Sequence, residues 1–419
     1  MNASTLARIL SAPFRHAPLL LVAVTLALAY GIWYAYSVFL VALLEEFAWP
    51  RSVLAGAFSV FAIVHGFSNP LVGMLCDRVR PSILLGIGGI GIGLGLWFTS
   101  TISTPLQLYI GFGGFTALSV ALCGWVPAVV LVQRRYIHRL GFALGIVSAG
   151  VGVGMLIVVP ICQLLIDQIG WRSAYQVLGA SCTLFMVPTA VYLFLKSKAA
   201  SALAERTKGS QLPTTEVSIT PKQAFAMPAF WLLFAAFLFG SICSQTLHVH
   251  QVAFLVDHGL EAIIGASVVS VVGFASVVAK IGGGWLSDKI AREIIFMVSS
   301  CILLASIAML LWVGAHPTLW GAYVFGALLG VGYSAVAAIT PAMVSDRFSG
   351  KHYGTILGIG LLGSALGSAF GPWMAGALFD HTGSYTLPFL LAGLSGVITL
   401  IAAALVYRLR TRDTASATF

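Results

Sequence analysis

Apolar residues run along this chain in twelve long stretches, parted by short polar corners. They fall near residues 18–44, 52–75, 82–100, 106–132, 140–166 and 173–195, then near 228–256, 261–286, 293–314, 317–344, 352–378 and 385–407. Each is close to or above the roughly 20 residues that let a helix cross a hydrocarbon core of about 30 Å. The runs are continuously apolar and do not alternate, so they predict helices and not barrel strands. The first run is too long for a signal-peptide core and has no small-residue cleavage pattern after it, so it is expected to stay in the mature protein.

One long polar segment interrupts the series, from Lys196 to Lys222. It divides the chain into an N-terminal segment 1–17, a six-helix unit 18–195, a linker 196–227, a second six-helix unit 228–407 and a tail 408–419. The two units repeat. Gly73-x-x-x-Asp77-Arg78 ends the second run and Gly284-x-x-x-Asp288-Lys289 ends the eighth, 211 positions later. Gly141, Gly145, Gly150 and Gly154 of the fifth run return as Gly354, Gly358, Gly363 and Gly367 of the eleventh, each 213 positions on. Asp167-x-x-Gly170 is answered by Asp380-x-x-Gly383, and Pro127 by Pro341. A steady offset of this kind predicts two parallel repeats with a site near the midplane between them.

Composition agrees. The chain of 419 residues is 59% hydrophobic and 8% charged, with mean hydropathy +0.98. Soluble domains need about 25% charge to build a polar shell. The net charge of +9 suggests nucleic acid until its distribution is read. On the twelve-run topology one side collects nineteen basic residues, among them Arg8, Arg78, Arg80, Arg134, Arg206, Lys289, Arg292, Arg347 and Arg408, while the other holds only Arg51 and Arg172. This is the positive-inside pattern; it excludes a nucleic-acid partner and predicts that both termini and the linker are cytoplasmic. Six scattered cysteines (Cys76, Cys123, Cys162, Cys182, Cys243 and Cys301) form no C-x-x-C pair, so no disulfide, metal site or cofactor is expected. Gly86-x-Gly88-x-x-Gly91 matches a dinucleotide fingerprint by letter, but it lacks the preceding strand and following acid; close helix packing accounts for it.

Lys280 is the only Lys or Arg deep inside a run. A cation there costs roughly 2.5–3.5 kcal/mol on insertion scales, which makes a binding role the default. It lies eight residues before Asp288, about 12 Å along a helix, far for a snorkelling lysine. Ser276 precedes it by one turn on the same face. In the seventh run His250 has Thr246 a turn before it, Phe254 a turn after, and Asp257 near the end; His248, two residues away, should point elsewhere. His250 has two readings, a cavity residue or a packed and hydrogen-bonded core histidine, and His65 has the same two. Tyr30, Tyr34 and Ser37 share a face of the first run, and Tyr333 interrupts a small-residue stretch of the tenth. Each tyrosine suits either a carboxylate-binding cavity or plain packing. Asp77, Arg78, Arg80, Asp288, Lys289 and Arg292 sit at matching helix ends, where they serve either as a gate or as part of the basic face.

Three segments carry a family resemblance. Tyr136-Ile137-His138-Arg139-Leu140-Gly141-Phe142-Ala143-Leu144-Gly145, running on to Ala149-Gly150, resembles the monocarboxylate transporter signature; Gly170-Trp171-Arg172 resembles the motif that follows it; and His250-Gln251-Val252-Ala253-Phe254-Leu255-Val256-Asp257 resembles a bacterial pattern of that family, with Ala253 in place of proline. The resemblance implies an all-α integral membrane protein of the major facilitator fold, with twelve helices in two pseudo-symmetric six-helix bundles, in a bacterial cytoplasmic membrane. It implies that Lys280 stands where the family holds the substrate carboxylate with a basic residue. Ser276 stands where animal members carry an aspartate, so that proton site is missing.

The expected function is transport of a small lactate- or pyruvate-like monocarboxylate by alternating access with proton symport. The substrate-binding residues would be Lys280, His250, Tyr34, Tyr333 and Ser276, with Lys280 or His250 carrying the proton. The expected partners are the acid, the proton and membrane lipid, with the protein a monomer. Oxalate–formate-type anion exchange is the alternative, and a non-transporting ligand sensor or an intramembrane enzyme are readings from other classes. No triad, zinc motif or phosphate loop in the right context supports an enzyme.

Overall fold

The computed structural model describes residues 17–133, 140–204, 219–287, 289–348 and 353–416. Twelve long helical segments are present among them. The first half holds α1 (Ala17–Phe47), α2 (Arg51–Arg78) and α3 (Pro81–Ser100), then α4 over 105–133. The helix Leu140–Ala204 is broken at Gly170 into α5, 140–169, and α6, 171–204. The second half holds α7 (Pro228–Asp257), α8 (Ala262–Ser287), α9 (Arg292–Ala315), α10 (Leu319–Arg347), α11 (Tyr353–Thr382) and α12 (Thr386–Ser416).

Local chemistry sets the ends. Pro81, Pro105 and Pro228 open their helices at the first turn, where a missing N–H costs nothing. Thr104 with Gln107 and Thr220 with Gln223 form reciprocal capping boxes. Inside α4 the glycine-rich stretch Tyr109–Thr116 widens into a π-helix, with the Thr116 hydroxyl donating to the Gly111 carbonyl at 2.9 Å. Gly170 turns the chain between α5 and α6 at φ 76°, ψ 158°, a conformation open in practice only to glycine. Its repeat partner Gly383 also has positive φ, 66°. The sequence repeat thus places a positive-φ glycine at the same corner of each half.

Packing follows the same symmetry. Gly150 and Gly154 of α5 lie on the backbone of Ala23 and Ala27 in α1; Gly363 and Gly367 of α11 lie on the Phe234 and Leu238 carbonyls of α7. Small residues let these backbones approach where lipid supplies no hydrophobic drive. The halves meet along a seam at which α1 touches α7, α2 runs along α11, with Gly66 against Ala365, and α5 crosses α8, with Gly152 against Gly273.

The outside is apolar. Leu20, Leu71, Leu94, Leu184, Phe274, Trp285 and Leu390 all project from the surface. Such an exterior needs hydrocarbon around it, and the chain is an integral membrane protein. One end of the bundle gathers the helix termini near 78, 133, 204, 289 and 347, the basic face; the other gathers the corners at 48–50, 101–104, 170, 258–261 and 383–385.

On the basic face Arg292 pairs with Asp346 and donates to the Ala342 carbonyl at 3.0 Å, while Arg410 reaches the buried Glu293 at 2.9 Å. Lys289 lies over the Trp285 ring at 3.6 Å, and Arg80 over Phe194 at 5.0 Å. Arg78 is exposed. Asp288, the side chain of Asp77 and the loop 134–139 that opens the signature motif lie outside the described residues.

Candidate functional site

Lys280 is half-buried on α8, and its Nζ lies 5.3 Å from the centre of the Tyr333 ring on α10, within cation–π range. With Gly283, Ile295, Ser299 and Ser334 it lines a cavity of about 20 Å³, enough for about one water. Tyr333 is buried, and its hydroxyl donates to Met155 Sδ of α5 at 3.4 Å. The other side of that contact belongs to α7. The His248 ring meets Tyr333 at 4.7 Å and Tyr34 of α1 at 5.0 Å. Tyr34, His248, Tyr333 and Lys280 therefore form one chain of contacts across the seam, from the first half to the second.

Three of the five expected binding residues, Lys280, Tyr34 and Tyr333, are brought together. The other two are placed differently. Ser276 is fully buried where α8 crosses α5, and its hydroxyl donates to the Gly273 carbonyl of its own helix at 2.8 Å. His250 faces away from Lys280. Its Nε2 is 2.9 Å from the Pro372 carbonyl and its Nδ1 is 3.0 Å from the Tyr385 hydroxyl. Since a carbonyl only accepts, Nε2 carries the proton and Tyr385 donates to Nδ1. The two α7 histidines do diverge as helical spacing requires, but it is His248 that faces the seam.

Tyr385 leads to a cluster at the end opposite the basic face. Its hydroxyl accepts from Arg51 Nη1 at 2.7 Å, and Arg51 Nη2 donates to Asp257 at 2.7 Å. The guanidinium lies 4.1 Å from the Phe379 ring centre. The backbone N–H groups of Arg51 and Ser52 donate to the two oxygens of Asp380, at 2.8 and 2.9 Å. A residue of the second half thus caps α2 of the first, and the N-terminus of a helix favours the anion. Beside it, wholly within the first half, Glu46 of α1 accepts from Trp171 Nε1 and Arg172 on α6, the residues that follow Gly170.

Sequence reasoning missed His248, Arg51, Tyr385 and Asp380 as site residues. Arg51 had a signal, being one of two basic residues on its side, and Asp380 was visible in the repeat. Nothing in the sequence alone shows that they meet. His65 packs its edge on Trp33 at 5.1 Å inside the first half. Ser37 donates to the Tyr34 carbonyl of its own helix at 2.8 Å.

Comparison with known proteins agrees with this architecture. Monocarboxylate transporter 12-B of Danio rerio is 28% identical over 389 residues, 85% of this chain and 79% of that one. Monocarboxylate transporter 11 of Homo sapiens is 28% identical over 379 residues, covering 87% of this chain and 77% of its own length. Among solved structures, a bacterial homolog of the human lysosomal transporter Spinster, in an inward-facing and occupied conformation, superposes with a TM-score of 0.72 at 18% identity, over 96% of this chain and 97% of that one. The family model of the Major Facilitator Superfamily matches residues 22–326 and 268–418. With both halves matched, and with relatives among the monocarboxylate transporters, this chain belongs to the Major Facilitator Superfamily.

Proposed function

We propose that the protein is a secondary active transporter that carries a small organic monocarboxylate by alternating access, together with a proton. The observation that carries this reading is the Lys280 ammonium, held at the Tyr333 ring where the two halves meet. An ammonium within the apolar bundle calls for an anion, and relatives of similar length are named as monocarboxylate transporters. Closure by Arg51 at one end of the seam fits one of the two states that alternating access requires. The charge segregation supports cytoplasmic termini in a bacterial inner membrane; cysteines placed at Ser4, Ser210 and Thr418 should all label from the cytoplasmic side.

Coupling follows from which charge states can cross the occluded intermediate. Neutral, empty lysine crosses. Lysine ammonium paired with a carboxylate is net neutral and also crosses. Unpaired ammonium is disfavoured in a dry site. Proton and acid then travel together without a carboxylate at position 276. Arginine can hold an anion but does not release its proton. The test is uptake of radiolabelled carboxylates by proteoliposomes, with and without a pH gradient, for the wild type and Lys280→Arg. The variant should keep substrate exchange and lose gradient-driven accumulation. Uptake of neutral sugars in place of acids defeats the reading, and normal accumulation by the variant moves the proton elsewhere.

A further inference from the structure

Among the described residues several buried polar atoms lack a hydrogen-bond partner, and two of the side chains that carry them share one cleft at the seam. His248 is 2% exposed, and among the described residues neither of its ring nitrogens has a hydrogen-bond partner, nor does the buried Nε1 of Trp33. Both side chains line one cleft between α1 and α7, with Tyr34, Ser37 and Phe58 beside them, too narrow in this state to hold a water molecule. A buried donor or acceptor left unpaired loses the hydrogen bonds it had with water and gains none in return, so each such group asks for an explanation. Ring packing alone does not call for the nitrogens, since an all-carbon ring of the same size would make the same contacts with none left unpaired. The rings of Tyr34 and Tyr333 hold the imidazole in position without bonding to its nitrogens. Tyr333 is also the ring on which Lys280 rests.

We propose that His248 and Trp33 form a neutral polar subsite that reads an oxygen substituent on the transported acid. The inference rests on the monocarboxylate reading above and adds to it the part of the substrate that Lys280 does not see. The donor inventory fixes the chemistry. Indole N–H only donates, so the substituent must accept. A neutral imidazole offers one donor and one acceptor. A hydroxyl satisfies both groups by accepting from Trp33 and donating to His248; an oxo group accepts from either. An ammonium substituent cannot accept from the indole and is repelled by Lys280. An alkyl substituent leaves every nitrogen unpaired. Because α1 and α7 belong to different halves, the cleft widens when the halves part at the end where Arg51 now locks them. The oxygen is therefore read as the acid binds from that side. Sites built to hydrogen-bond a substrate oxygen reject the analogue that lacks it far more strongly than apolar pockets reject a missing methylene.

The test compares L-lactate with propionate, which differ by the one hydroxyl, in uptake by proteoliposomes of the full chain. The wild type should favour lactate at least about tenfold in kcat/KM, the size expected for one lost hydrogen bond of about 1.4 kcal/mol. His248→Phe and, separately, Trp33→Phe keep an aromatic ring and remove the nitrogen; each should bring the lactate-to-propionate ratio of kcat/KM to within about threefold. His248→Gln, which keeps a donor and an acceptor, should retain most of the preference. Thermal unfolding in detergent serves as the folding control for every variant. Equal wild-type uptake of the two acids overturns the subsite and leaves the monocarboxylate reading standing. A full preference surviving in both phenylalanine variants overturns it too, as does equal loss of both acids in either, which makes that ring a common structural element. Uptake of neither acid by the wild type defeats the monocarboxylate reading and this inference with it.

Discussion

The guanidinium of Arg51, at the first residue of α2, lies 2.7 Å from the carboxylate of Asp257, at the last residue of α7. The pair joins the two halves at the end opposite the basic face, with side chains 13% and 30% exposed. An exposed ion pair contributes little, but this guanidinium is also bonded to Tyr385 and stacked on Phe379. Removing its charge should loosen that end. Arg51→Gln, in a background lacking the exposed Cys301, should raise labelling of a cysteine placed at Ser37 by an impermeant thiol reagent about threefold to tenfold, equivalent to about 1 kcal/mol. Exchanging the partners, Arg51→Asp with Asp257→Arg, should restore part of the protection. Unchanged labelling in the single variant shows that the pair does not hold the halves together.

His250 belongs to this lock and not to the Lys280 neighbourhood. If Lys280 carries the proton, His250→Gln should keep gradient-driven accumulation while altering the rate. Loss of accumulation with exchange intact reverses the assignment and makes His250 the proton carrier, the one of the two whose ordinary range lies near neutral pH. Parallel uptake and counterflow on the same vesicles separate the outcomes.

Tyr385→Phe removes one hydroxyl and two bonds, the acceptor for Arg51 and the donor to His250 Nδ1. The ring stays to pack against Phe379 and Phe389. The cost should be about 1–3 kcal/mol, since the imidazole is left with an unpaired acceptor. Thermal unfolding in detergent should show a lowered midpoint, and Ser37 labelling should rise as in Arg51→Gln. A midpoint equal to that of the wild type would count against the network.

The fold was legible because lipid leaves few choices. Twelve apolar runs, one polar linker and a steady repeat offset lead to two six-helix bundles. Lys280 was legible because charge in such a run stands out. His248 was not. It sits two residues from His250 on the same helix, and a motif favoured the neighbour; only the rotation of α7 against α1 and α10 decides which imidazole faces the seam. Arg51 and Asp380 lie 329 positions apart and meet through the docking of two halves, which no local pattern encodes. Ser276 was read from its helical face, but a serine in a helix readily bonds its own backbone, and here it does.

Gly170 allows a cleaner stability test. Among the described residues nothing lies within 4 Å of the place a Cβ would take, so a substitution there meets no clash with them. The strain is in the backbone alone, at φ 76° and ψ 158°. Gly170→Ala should cost about 1–3 kcal/mol and disturb the adjoining Trp171 and Arg172 contacts to Glu46. Glu46→Gln should lower the unfolding midpoint in the same direction, and the double variant should lose less than the two separate losses combined, because neighbouring sites couple. Strict additivity argues that the turn and the Glu46 contacts act independently.

Asp380 provides the sharpest separation of charge from hydrogen bonding in the lock. Its two oxygens accept from the first two backbone N–H groups of α2, across the seam. A helix N-terminus has N–H groups without intrahelical acceptors, and an anion there gains from the helix dipole as well as from the bonds. On the alternating-access reading proposed above, opening this end transfers both N–H groups to water, and the carboxylate favours the closed state. Asp380→Asn keeps one accepting oxygen and loses the charge; Asp380→Ala loses every acceptor. N-cap substitutions by Ala cost about 0.5–2 kcal/mol, and that cost here weighs on the closed state more than on a state whose N–H groups are hydrated. Ser37 labelling should therefore rise in graded order, from wild type through Asp380→Asn to Asp380→Ala. Salt should mimic part of the first step, since it screens charge, and leave the second step largely unchanged. Equal labelling of the two variants makes the charge alone responsible, and equal labelling of all three removes Asp380 from the gate.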